Sequence, residues 1–155
     1  VVCFGEGGRL EFARPEAGDA FVFGGDVFDK GPGDIRIASA LVRFKEEHPD
    51  RVFLLVGNRD LCKLRFTAEL AVTHIDVPQP VPLYPRAPPQ VSYRSFLERV
   101  AAQQGGSVEA ANSRAARTRW ILEHTMTARG AFEHRRAELQ ALGSSGRGGL
   151  LVDPS

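Results

Sequence analysis

The chain has 155 residues, 43% of them hydrophobic and 25% charged, with a formal net charge of +1. That length suits one domain and buries roughly 70% of the unfolded surface. The near-neutral balance excludes a global field that would single out nucleic acid or a membrane surface as partner.

Cys3 and Cys62 are the only cysteines. They form no CxxC pair and read as free thiols, with one disulfide as the alternative. No apolar run approaches the ~18 residues of a membrane-spanning helix. Val1–Phe4 is too short for the apolar part of a signal peptide. An intracellular, cytoplasmic location is therefore expected. A chain that opens on Val1 and has Met126 as its one methionine is expected to be a piece of a longer, processed or incomplete product.

In chain order, Val1–Phe4 reads as a short strand and Leu10-Glu11-Phe12 as a weaker one. Pro15 and Gly18 mark a turn. Ala20–Gly24 is the next strand, and a glycine-rich loop follows it to Asp34, which is placed to cap a helix. Ile37, Leu41 and Phe44 recur at helical spacing until Pro49 stops the helix. Arg51–Val56 is a strand again. Strand, helix and strand in this order predict parallel pairing.

Leu61, Leu64, Ala68 and Ala71 suggest a further helix. Pro78, Pro80, Pro82, Pro85, Pro88 and Pro89 then exclude regular helix or central strand. From Ser92 to Leu142 the pattern is helical, interrupted at Gly105-Gly106 and jointed at Gly130. The organisation read from these signals is an α/β core over 1–76, a Pro-rich loop or linker over 77–91 and a helical insertion or cap over 92–142. A flexible Gly/Ser stretch over 143–155 closes it, with a possible strand opening at Leu150-Leu151-Val152-Asp153.

The chemistry concentrates where two predicted strands end. Gly25-Asp26-Val27-Phe28-Asp29 follows the first apolar run, and Gly57-Asn58-Arg59-Asp60 follows the second. Open α/β sheets bind ligands at strand exits. Carboxylate and carboxamide oxygens there suit hard divalent cations and phosphate chemistry. Lys30, Arg36, Arg59 and Lys63 add positive charge fit for phosphate oxygens. Asp and Gly are also ordinary loop residues, so each motif alone reads as structure; the pair reads as a site.

The two motifs resemble the pattern GDxxD…GN[H]D/E of the calcineurin-like metallophosphoesterases. The resemblance covers roughly Val1–Phe66. The blocks Gly24–Arg36 and Val52–Phe66 are similar to a eukaryotic, partly protist branch with arginine in the GNRD position. It implies a two-sheet α/β sandwich and two divalent metal ions (Mn, Fe or Zn) acting on a phosphate ester. It implies Asp26 and Asn58 as metal ligands and Asp29 as a catalytic residue behind them. Lys30 stands where many members carry a phosphate-contacting arginine. Arg59, where most members carry histidine, is the other catalytic candidate, clamping phosphate or pairing with Asp29. Arginine cannot act as a proton donor near neutrality.

Three departures accompany the resemblance. No Asp-x-His motif follows Val1–Phe4, where Glu6 is the one candidate ligand. The later histidine ligands find no clear match among His48, His74, His124 and His134. Arg59 replaces histidine. Half of a dinuclear site is therefore legible, and the alternatives to a phosphoester hydrolase are a non-catalytic binding module or a gene-model fragment. Arg114, Arg117, Arg119, Arg129, Arg135 and Arg136 raise nucleic-acid binding, but interleaved Glu123, Glu133 and Glu138 make a solvated helix face the better reading. Neither nucleic acid nor membrane is an expected partner, and oligomeric state is not encoded legibly.

Overall fold

Short apolar runs form the strands, and a helix covers one side of some of them. The computed structural model describes residues 1–71, 73–76 and 91–144. Strand β1 (Val2–Phe4) pairs antiparallel with β2 (Leu10–Phe12), Cys3 opposite Glu11. Strand β3 (Phe21–Phe23) pairs parallel with β4 (Val52–Leu54), Val22 beside Phe53. The connection between them is helix α1 (Asp34–Glu47), the parallel unit that the sequence pattern predicts.

The chain divides into two compact units, Val1–Leu61 with His134–Ser155 and Cys62–Glu133. In the first, Leu10, Phe12, Ala40, Leu41, Phe44 and Val52 form the buried core. Burying side chains of this kind contributes about 1.5–3 kcal/mol each. The Phe44 ring lies 4.9 Å from Phe12 and 5.7 Å from Phe21. Alternation along β3 and β4 turns Phe21, Phe23, Val52 and Leu54 toward this core and leaves Val22 and Phe53 exposed. His48 ends α1, its amide bonded to the Phe44 carbonyl at 3.1 Å and its ring packed on Phe12 and Phe44.

One expectation for α1 fails. Gly33 (φ 98°), not Asp34, precedes the first helical residue. The Asp34 carboxylate instead accepts the Asp29 amide at 3.1 Å. The first α1 amides are taken by Glu138 of α7 (Ala131–Ser144), which accepts from Ile35 at 2.9 Å and Arg36 at 3.0 Å. An acidic side chain there also suits the helix dipole.

The predicted helix after Asp60 begins earlier, as α2 (Asn58–Cys62), and continues through a 3₁₀ turn into α3 (Phe66–Glu69). Among its described residues the second unit is otherwise mostly helical: α4 (Tyr93–Gln104), α5 (Val108–Ala111) and α6 (Arg114–Trp120), then a π-helical turn at Ile121–Thr125. Ser92, Ser107 and Ser113 cap α4, α5 and α6 by accepting an amide three residues on. Gly105 in the left-handed region stops α4, the break that Gly105-Gly106 predicts.

Tyr93, Phe96, Leu97, Trp120, Ile121 and Met126 fill the core of this unit. Its polar atoms are bonded: the Trp120 indole donates to the Val91 carbonyl at 2.7 Å and the Tyr93 hydroxyl to Asn112 at 2.9 Å. Buried Arg117 lies 4.2 Å over the Tyr93 ring and donates to the His74 carbonyl. Desolvation pushes the Tyr93 phenol up from its ordinary value, against the opposing pull of Arg117.

The strands amount to two two-stranded sheets among the described residues, with a largely helical later part. The sheet sandwich implied by the resemblance is not among them. The proline cluster Pro78–Pro89 and the expected strand at Leu150–Asp153 lie outside the described residues.

Candidate functional site

Parallel pairing makes β3 and β4 end side by side, so the loops that follow emerge together. The pairing extends one step further, Leu55 donating to the Phe23 carbonyl at 2.9 Å. Beyond it the two glycine positions meet. Gly25 has φ 86°, and a Cβ there would stand 2.3 Å from the Gly57 nitrogen; a Cβ on Gly57 would stand 2.1 Å from Asp26 Oδ1. A side chain at either position would drive the loops apart.

Asp60 fastens this approach. Its carboxylate accepts the amides of Asp26 (2.8 Å), Val27 (3.1 Å) and Gly57 (2.8 Å). The Gly57 bond is half of a capping box: Gly57 accepts the Leu61 amide at 3.1 Å as α2 begins, and Asp60 reaches back three residues. The other two bonds reach across to the first motif. One side chain therefore holds both motif loops.

Asp26 and Asn58 are both exposed at the strand exits. Asp26 Oδ1 accepts the Arg59 amide at 2.9 Å, which links it to the residue next to Asn58. Asp29 is buried, and its carboxylate lies 3.5 Å from the Arg59 guanidinium. The expected pairing of Arg59 with Asp29 is formed. Asp26 (φ 59°) and Asp29 (φ 88°) both sit in the left-handed region. Such positions cost on the order of 1–3 kcal/mol and persist where surrounding bonds over-determine them, often at functional sites; the Asp60, Arg59 and Asp34 bonds do that here.

A pocket of about 260 Å³ opens beside the first loop, bordered by Asp26, Lys30, Asp34 and Arg36. Lys30 and Arg36 are exposed and form no ion pair with a described residue, whereas Asp34 has Arg135 at 3.8 Å. Lys63, by contrast, lies in the second unit, its Nζ 3.9 Å from Met126 Sδ.

Asp26 and Asn58 offer the anionic and carbonyl oxygens that a hard or borderline divalent cation takes. One bond from Arg59 leaves a carboxylate with further lone pairs. Two donors nevertheless fall short of two metal shells. Among the described residues no three His, Cys, Asp or Glu side chains gather as a metal-binding group. Glu6 is exposed in a 3₁₀ turn, and His124 and His74 belong to the second unit. The residues present fit part of one cation's shell and do not fit a complete dinuclear centre.

Reading residues alone missed Asp60 and Glu138. The acid three residues after Gly57 was a usable signal for the capping box. Glu138 carried none, since it acts on amides 103 and 102 residues away.

No helix among the described residues is long and apolar enough to cross a membrane. No curated protein and no solved structure matches the chain. A family model for calcineurin-like phosphoesterases matches residues 8–124, well over half of the 155. It takes in both strand-exit motifs. On that match the chain belongs to the calcineurin-like phosphoesterase family, whose members generally use divalent metals.

Proposed function

We propose that the chain serves metal-dependent hydrolysis of a phosphate ester, contributing the Asp26 and Asn58 side of the metal site, in the branch of the family that carries arginine at position 59. The observation that carries this reading is the joining of two strand-exit loops through Asp60, with Asp26 and Asn58 left exposed on them. A rigid pair of oxygen donors at the ends of adjacent parallel strands is what a cation and a phosphate require. Two divalent ions (Mn, Fe or Zn) are the cofactor in this reading, with the remaining ligands supplied from beyond the described donor set. When bound, they would supply Lewis-acid charge to phosphate oxygens.

The chain's own residues then divide the work. Asp26 and Asn58 would hold the cation. Lys30 meets phosphate charge at the pocket edge. Arg59 orients Asp26 with its amide and neutralises Asp29 with its guanidinium, and it adds positive charge without moving a proton. The partner is a phosphate ester; neither nucleic acid nor membrane takes part.

A non-catalytic phosphate-binding module is the second reading. It is favoured by the shortage of ligands and by the engagement of Asp29 with Arg59. Metal content and turnover separate the two. The chain is loaded in turn with Mn²⁺, Fe²⁺ and Zn²⁺, desalted, and assayed on an activated aryl phosphate. Bound metal and turnover, both lost in Asp26→Asn, support hydrolysis. Phosphate binding without metal or turnover supports the module, and neither binding nor turnover overturns both.

A further inference from the structure

We infer that the pocket beside Asp26 selects phosphate monoesters whose leaving group is a single aromatic ring, an inference that rests on the hydrolase reading above. The pocket joins a cationic edge, Lys30 and Arg36, to an apolar wall made by Phe4, Phe28, Pro32 and Ile37. Pockets with mostly apolar lining and a few placed charges bind small molecules and orient them by the charges. The second and third α1 amides, those of Ile35 and Arg36, are already taken by Glu138. The Lys30 and Arg36 side chains supply the positive charge at this edge that would hold the anion.

Size decides what the apolar wall takes. A cavity of about 150 Å³ accepts a benzene ring, and drug-sized ligands take roughly 300–1,000 Å³. At about 260 Å³ the pocket has room for one ring with its phosphate. Phe4 is 62% exposed, so its ring is available to pack against a second ring, edge to face or offset. Two carboxylates, Asp26 and Asp34, also border the pocket. Asp34 is balanced by Arg135 and the Asp29 amide, whereas Asp26 is the residue assigned to the cation.

The test measures binding rather than turnover. The full chain, with and without Mn²⁺, is titrated with phenylphosphonate, methylphosphonate and inorganic phosphate. Phenylphosphonate should bind about tenfold more tightly than methylphosphonate, the gain of one packed ring. Phe4→Ala, a change at an exposed position, should reduce that ratio to about threefold or less and leave methylphosphonate unchanged. Lys30→Ala should weaken both phosphonates by the same factor. Equal affinity of the two phosphonates for the unaltered chain overturns the ring preference while leaving the hydrolase reading in place. Binding of none of the three ligands in either condition overturns both.

Discussion

Replacing Asp60 by alanine should cost more than removing any other exposed or half-buried polar side chain of the first unit. The carboxylate accepts three amides at 2.8, 3.1 and 2.8 Å. A hydrogen bond to a charged group contributes about 1.5–3 kcal/mol net. Water can replace the bond at the exposed Asp26 amide, but less readily at the part-buried Val27 and Gly57 amides. The expected loss is therefore about 3–5 kcal/mol, a large share of the ~5–15 kcal/mol that holds a domain of this size. Asp60→Asn keeps one acceptor and aims an N–H₂ at an N–H, so roughly half that loss is expected. Urea unfolding gives the stability change. Amide exchange gives its location: protection should fall at Asp26, Val27 and Gly57 before it falls in α1. A loss under about 1 kcal/mol in Asp60→Ala, with exchange unchanged at those three amides, would show that the loops hold together by some other means.

Gly25→Ala should destabilise by about 2 kcal/mol or more, since φ 86° is strained for alanine and its Cβ would meet the Gly57 backbone; an unaltered melting temperature would count against the close approach. If the chain hydrolyses phosphate esters, Arg59→His should introduce a new ionisation on the acid limb of the pH–rate profile, because imidazole can supply a proton and guanidinium cannot; an identical profile would place position 59 outside the chemistry. Burial holds His124 below its ordinary value of 6.5, against the opposing pull of Glu123. The unfolded chain then binds the extra proton first, so stability is full above 6.5 and declines as pH falls through the folded value; His124→Phe should flatten that decline, measured as unfolding free energy against pH. Arg117→Met should cost about 1–3 kcal/mol by stranding the His74 carbonyl and should raise the Tyr93 phenol further by removing a nearby positive charge, read from its phenolate absorbance.

Local patterns carried the elements that depend on neighbours in sequence. The helical spacing of Ile37, Leu41 and Phe44 announced α1, and two apolar runs flanking it announced the parallel β3–β4 pair. The candidate metal donors were named for the same reason: Asp26 and Asn58 lie shortly beyond the ends of β3 and β4. What escaped depends on partners distant in the chain. Asp34 looked like a cap, yet Gly33 can enter the helix in a left-handed turn and Glu138 supplies the capping oxygens, freeing Asp34 for the Asp29 amide. Asp60 looked like the last letter of a motif, although its spacing from Gly57 already encodes half its work.

The arginine at position 59 can be separated into two contributions with different dependence on sequence. Its amide bond to Asp26 Oδ1 is main-chain geometry, available to any residue that lets α2 start at Asn58. That bond fixes the orientation of a candidate ligand, as hydrogen bonds behind metal ligands commonly do. Its guanidinium, 3.5 Å from buried Asp29, is the contribution that only this side chain makes. Arginine answers the Asp29 charge permanently, with or without metal. Position 59 thus combines an orientation of Asp26 that any residue's amide could give with a fixed positive charge that a neutral imidazole would not supply, at a site whose described residues hold fewer metal donors than a dinuclear centre needs.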